Sequence, residues 1–260
     1  MHFVTIDGLT IHHTLDGDPA TPPLVFVHSL GTDLRIWDGV VRILAADYRT
    51  VRYDLRGHGL TGCPPGPYRI EDFSRDLAAL LDYLAIERCR LAGISIGGQI
   101  ALQFALDHTD RVAALVLADT AARIADTGFW ETRIAGIREK GLPAMAEAIL
   151  PRWFAESFAV RQPAAYRGYL HMLSRTPEAG YTSACQALAA ADLRAELGGL
   201  RAPTLVLCGA DDRATAPEVV SAFAASLPGA VYREIPNAGH HPPVENPGGM
   251  AEVMRLFFES

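Results

Sequence analysis

A chain of 260 residues with 49% hydrophobic and 20% charged side chains can bury a sizeable core. That excludes intrinsic disorder and fits one large domain, or a core domain carrying an insertion. The formal charge of −7, with no cluster of Lys and Arg, excludes the basic surface that a nucleic-acid partner requires.

No apolar run reaches the roughly 18–20 residues of a membrane span, and the opening "MHFVTIDGLT" lacks the basic start and apolar core of a signal peptide. A soluble, cytoplasmic protein without a membrane partner is expected. Cys63, Cys89, Cys185 and Cys208 are scattered with no C-x-x-C pair, which predicts free thiols in a reducing compartment.

In chain order, "HFVTI" and "LTIHHTL" alternate around Asp7-Gly8, a dipeptide suited to a type I′ hairpin turn. "LVFVH" (24–28) is a continuous apolar run, as in a strand buried on both faces. Further strands are predicted at "RTVRYD" (49–54), "RCRLAG" (88–93), "VAALVLA" (112–118), "PTLVLCG" (203–209) and "AVYREI" (230–235). Between them, residues 70–85 repeat apolar side chains at Phe73, Leu77, Leu80, Leu81 and Leu84, one face of a helix. "GGQIALQFALDH" reads as a second helix, Thr215-Ala216-Pro217-Glu218 as a capping box before a third, and "GGMAEVMRLFFES" as the last. The alternation implies an α/β fold, a mostly parallel sheet covered by helices on both faces, with the hairpin antiparallel at one edge. Residues 122–195 break it, with helical patterns and no strand. They are expected to form a helical lid inserted into a core of 1–121 and 196–260.

"GISIG" (93–97) places Ser95 between a strand and a helix, the context of a nucleophile elbow. Such a turn is strained, needs small residues at Gly93 and Gly97, and lifts the hydroxyl above the strand ends. A serine needs a base, and histidine has the suitable pKa. His2, His12 and His13 lie on the hairpin, His58 in a loop, and His108 and His171 in helix-like segments. His240 and His241 follow the last strand, and His240, directly after Gly239, is the preferred base. The orienting acid should follow an intermediate strand: Asp211 and Asp212 end "LVLCGADD", with Asp119 of "LVLAD" in reserve. The two amides of an oxyanion hole are assigned to Ile96 and, in the loop after "LVFVH", to Leu30. No carboxylate or cysteine lies at ligand spacing from the His240–His241 pair, so no metal is expected there.

With these residues placed, the whole chain resembles the α/β-hydrolase superfamily. The G-x-x-D pattern of that superfamily falls on Gly209-Ala210-Asp211-Asp212 and selects Asp212, and G-H-x-P-x-x-E matches "GHHPPVE" and selects His240. More narrowly, "HSLGTDLRIWD", "YDLRGHG", "PPGPYRIEDFSRDLAALLDYLAIER", "LVLADTAARI", "FWETRIAGIREKG" and "RWFAESFA" resemble 3-oxoadipate enol-lactonases, cofactor-free hydrolases of aromatic catabolism. The chain departs from them at His241-Pro242, where Leu-Ser is frequent, and at Ile94 and Ile96, where Leu and Met are usual. The resemblance implies a small lactone or ester substrate and, for the enol-lactone, a cation for its carboxymethyl arm. Arg133, Arg152 and Arg35 are candidates, Arg133 first, with Trp130, Trp153 and Phe154 as pocket walls. Alternatives are a broad carboxylesterase or perhydrolase, and a slow-turnover ligand receptor on the same fold.

Overall fold

The Asp7-Gly8 turn adopts positive φ at both residues, 49° and 81°, and joins β1 (His2–Ile6) to an antiparallel β2 (Leu9–Asp16). This computed structural model describes residues 1–260. Six further strands complete one sheet: β3 (Pro23–Val27), β4 (Arg49–Tyr53), β5 (Cys89–Ile94), β6 (Val112–Ala118), β7 (Thr204–Gly209) and β8 (Val231–Ile235). Their spatial order is β1-β2-β4-β3-β5-β6-β7-β8, antiparallel across the first two pairings and parallel from there on. The mostly parallel α/β sheet with its antiparallel edge is therefore as the apolar runs predict.

Because successive side chains leave a strand on opposite faces, the central strands supply two cores. Leu24, Phe26, Ala92, Ile94, Val116, Leu205 and Leu207 face α1 (Asp38–Leu44) and the C-terminal helix, Pro247–Glu259. Val25, Val27, Leu91, Leu115, Leu117 and Val206 face α2 (Ile70–Tyr83) and α3 (Ile96–Asp107). α2 buries Phe73, Leu77, Leu80 and Leu81 but stops short of the predicted Ala85, which turns left-handed at φ 53°.

Between β6 and β7 the chain contains no strand. It forms α4 (Thr127–Lys140), α5 (Leu142–Ile149), α6 (Glu156–Arg161), α7 (Pro163–Ser174) and α8 (Glu178–Ala190). Their apolar faces join the core of the α2–α3 side through Trp130, Ile134, Leu173 and Tyr181. After β7 come α9 (Pro217–Ala225), the short α10 (Pro242–Glu245) and α11 (Pro247–Glu259). The capping box expected at Thr215 does not form. Pro217 sits in the first turn of α9 and makes Ala216 the N-cap, while the Thr215 amide donates to Asp212 Oδ1 at 3.1 Å. No helix is long and apolar enough to cross a membrane.

Candidate active site

Ser95 lies between β5 and α3 with φ 58° and ψ −122°, a conformation costly for any residue with a side chain. Its surroundings impose the turn. Ser95 N donates to Ala118 O at 2.9 Å and Thr120 Oγ1 donates to Ser95 O at 2.7 Å, so the end of β6 holds the serine from both sides. Gly93 and Gly97 permit the approach: a methyl group on Gly97 would lie 2.5 Å from the carbonyl oxygens of Val27 and His28. The hydroxyl makes no hydrogen bond within the protein and is not sealed from solvent.

Across the strand ends, His240 Nδ1 and Asp212 Oδ2 lie 2.8 Å apart, both side chains nearly inaccessible. Asp212 Oδ1 accepts the amides of Ala214 (2.7 Å) and Thr215 (3.1 Å), so three donors aim at one carboxylate. Asp211 is exposed, and its bond to Ala238 O uses its backbone amide. Asp119 is buried but accepts from Gly209 N at 2.7 Å, with no bond to His240. His241 points elsewhere. Its Nδ1 donates to Trp153 O at 3.3 Å and its ring packs on Trp153 and Phe154; burial, with His240 beside it, pushes its pKa well down and keeps it neutral.

Ile96 is the first residue of α3, so its amide has no carbonyl a turn earlier in the helix to bind. The Leu30 amide takes no part in the bonds that shape its loop, which run from Thr32 N and Thr32 Oγ1 to Ser29 O. His28 sets that loop and was missed by reading the sequence. Its Nδ1 donates to Ser29 O at 2.8 Å, while its Nε2 accepts the Leu55 amide at 2.9 Å. A lone histidine after an apolar run carries no motif, and its role appears only when β3 and β4 pair.

The helical segment packs on the loop that carries Leu30. A methyl on Gly31 would meet Leu173 Cδ1 at 2.6 Å, Tyr181 Cε2 at 2.9 Å and Trp153 Cη2 at 3.4 Å. Phe154 abuts Gly239, the residue before His240. Trp130 instead fastens the segment to itself, donating Nε1–H to Ile124 O at 2.7 Å. Glu245 bridges segment and core, accepting from Ala155 N (3.0 Å) and Gly239 N (2.6 Å), with its carboxyl pushed up to about 7 by burial.

The three candidate arginines separate clearly. Arg35 is exposed and paired with Asp33, two residues earlier. Arg152 donates to Arg213 O at 3.1 Å and lies over Phe129. Arg133 is half-buried, has no carboxylate partner, and donates to the Tyr181 hydroxyl at 3.4 Å. A groove of about 1100 Å³ runs between α7 and the Leu34–Trp37 turn and has neither Ser95 nor His240 on its walls. The strained serine and the histidine–carboxylate pair lie elsewhere, at the carboxyl ends of the strands.

Residues 22–247 match the alpha/beta hydrolase fold family. The chain belongs to the α/β-hydrolase family and is a hydrolase acting on esters. It is 35% identical to 3-oxoadipate enol-lactonase 2 of Acinetobacter baylyi over 82% of this chain and 79% of that protein. The crystal structure of the enol-lactonase from Burkholderia xenovorans is similar over 100% of both chains, with a TM-score of 0.96 and 35% identity. A thermophilic esterase from Thermogutta terrifontis, solved with malate bound, gives a TM-score of 0.94 at 30% identity, over 100% of this chain and 98% of that one.

Proposed function

We propose that this protein is a serine hydrolase that opens the lactone ring of 3-oxoadipate enol-lactone to give 3-oxoadipate. Ser95 is the nucleophile, His240 its base, Asp212 the acid that orients His240, and the Leu30 and Ile96 amides the oxyanion donors. Residues 122–195 act as a lid over a core of 1–121 and 196–260. Ser95 Oγ attacks the lactone carbonyl as its proton passes to His240 Nε2, and the carbonyl oxygen takes the negative charge. The ring C–O bond then breaks and the enolate oxygen leaves, taking the proton from His240. A water molecule, deprotonated by His240, attacks the acyl-serine; Ser95 recovers its proton, the carboxylate is released and the enol relaxes to the ketone.

The observation that carries the substrate choice is Arg133. It has no carboxylate partner and is bonded to Tyr181, whose ring packs on Gly31 beside Leu30. Its guanidinium also lies over the Phe129 ring, 4.9 Å from the centroid; with no carboxylate of the protein bound to it, it is the cation we assign to a carboxymethyl arm. The names of its relatives, enol-lactonases, support the same substrate. A charge-assisted contact in a partly dry pocket is worth roughly 1.5–3 kcal/mol, or about ten- to a hundredfold in kcat/KM. Arg133→Ala should therefore weaken hydrolysis of the enol-lactone by that factor and leave an uncharged ester of similar size nearly unaffected. Equal losses on both would show lid disruption instead. The second reading, a general carboxylesterase, is favoured by His241-Pro242 and by the similarity to the Thermogutta esterase. It prevails if the wild type shows no preference for the carboxylated lactone.

A further inference from the structure

The end of β6 carries a second buried carboxyl group that the steps above do not use. Asp119 is 0% exposed and left-handed, with φ 49°. Oδ1 accepts the Gly209 amide, and Oδ2 has no partner. The Asp119 and Asp212 carboxyls and Cys208 Sγ converge within 4.8 Å of one another. Residues on either side of Asp119, Ala118 and Thr120, are those that brace Ser95.

Two carboxylates this close and out of water, with no lysine or arginine paired with either, cannot both stay ionised; one keeps a proton. Asp212 is the better anion, since it accepts from Ala214 N, Thr215 N and His240 Nδ1, against one amide for Asp119. Burial, and then the Asp212 charge, push the Asp119 carboxyl well above the ordinary carboxylate range. The remaining groups on this side do not reverse the balance. Cys208 is a thiol, kept protonated chiefly by burial and directed at Gly209 O (3.3 Å). From β8, Glu234 and Tyr232 bond each other at 3.0 Å, and Glu234 adds negative charge beside Cys208. Nor is the cluster arranged for a cation, because backbone N–H groups already point at one oxygen of each carboxylate.

We infer that Asp119 is a positioning residue for the hydrolytic reaction: it stays a neutral carboxylic acid at working pH, and its Oδ2–H donates to the Asp212 carboxylate, fixing that carboxylate against His240. This rests on Asp212 being the residue that orients His240. The pair holds one negative charge beside the imidazole. With both ionised, the imidazolium would be overstabilised and His240 would be a poor base near neutrality.

The test uses Asp119→Ala, Asp119→Asn and Asp212→Asn in the full chain, with p-nitrophenyl acetate as substrate and infrared difference spectra at pH 7. Asp119→Ala should lose about tenfold in kcat with KM within about twofold, the cost of one hydrogen bond to a charged group. Asp119→Asn restores a neutral donor, suits the left-handed backbone, and should recover activity to within about threefold with the acid limb of kcat/KM unmoved. The wild-type minus Asp119→Asn spectrum should contain the carbonyl band of a protonated carboxylic acid. This band does not depend on turnover and is read from the Asn variant even if Asp119→Ala fails to fold. Its absence overturns the inference by itself. So does an acid limb that moves down by about one unit in Asp119→Asn, the sign of a negative charge removed from beside His240. If the band is present but Asp212→Asn keeps full activity, the inference falls through the triad it rests on, and the two failures are told apart.

Discussion

Replacing Asp212 with asparagine tests the orienting role through the geometry of its loop. Oδ1 receives the amides of Ala214 and Thr215 at 2.7 and 3.1 Å, a demand that only an oxygen can meet. The carboxamide must therefore turn its oxygen toward them and its NH₂ toward His240 Nδ1, which in the native chain lies 2.8 Å from Oδ2. Nδ1 then has to accept, so the ring proton sits on Nε2, the nitrogen that should receive the Ser95 proton. The base is blocked while the fold is kept. A misplaced tautomer of this kind costs roughly 10⁴ in kcat, about 5.4 kcal/mol of barrier at 1.36 kcal/mol per factor of ten. Asp211→Asn changes an exposed side chain and should stay within about twofold. The assay is kcat on p-nitrophenyl butyrate, after urea titrations show both variants folded. Asp212→Asn activity within tenfold of the native enzyme would refute the tautomer argument.

Acid should destabilise the protein through its buried neutral histidines. Burial, with His28 nearby, lowers the pKa of His58 to about 3, and burial also lowers His28 and His241. Unfolded, each titrates near its ordinary value of about 6.5. Since the folded pKa is the lower one, this stability is complete above the unfolded value and is lost as pH falls through it. For His58 alone, going from pH 7.5 to 5.5 removes about 1.4 kcal/mol, and His58→Gln should flatten the pH dependence of urea unfolding by that amount; identical slopes would contradict it. Gly97→Ala places a methyl 2.5 Å from Val27 O and His28 O, so α3 must withdraw from β3. A stability loss of about 1–3 kcal/mol should accompany at least a tenfold fall in kcat, because Ser95 and the Ile96 amide move with the helix; native Tm and kcat would show that the approach is not tight.

The sheet is legible in the sequence because strands buried on both faces read as short apolar runs, and because Asp7-Gly8 fits only a tight turn. The glycines around Ser95 carry their own physical reason, and the "GADD" and "GHH" offsets lead to two residues that the structure brings to 2.8 Å. What escapes a linear reading is pairing over long separations. His28 gains its role from Leu55, and Asp119 its Oδ1 partner from Gly209, 90 residues away. Arg35 and Arg133 look alike in sequence and differ in whether a carboxylate reaches them. Thr215 has the residue type of a helix cap, but Pro217 opens the helix and leaves Ala216 at the cap position. Local chemistry is visible in one dimension; competition for partners is not.

The central claim, that Ser95 forms the covalent intermediate through His240, is tested most directly by trapping. A p-nitrophenyl alkylphosphonate, which mimics the tetrahedral intermediate and cannot be hydrolysed onward, would be added in excess and the protein digested for mass spectrometry. The predicted result is one phosphonyl group per chain, on the peptide carrying Ser95, appearing in step with loss of esterase activity and much more slowly in His240→Ala. Full activity after saturating treatment, or inactivation with the label on any residue other than Ser95, would contradict it.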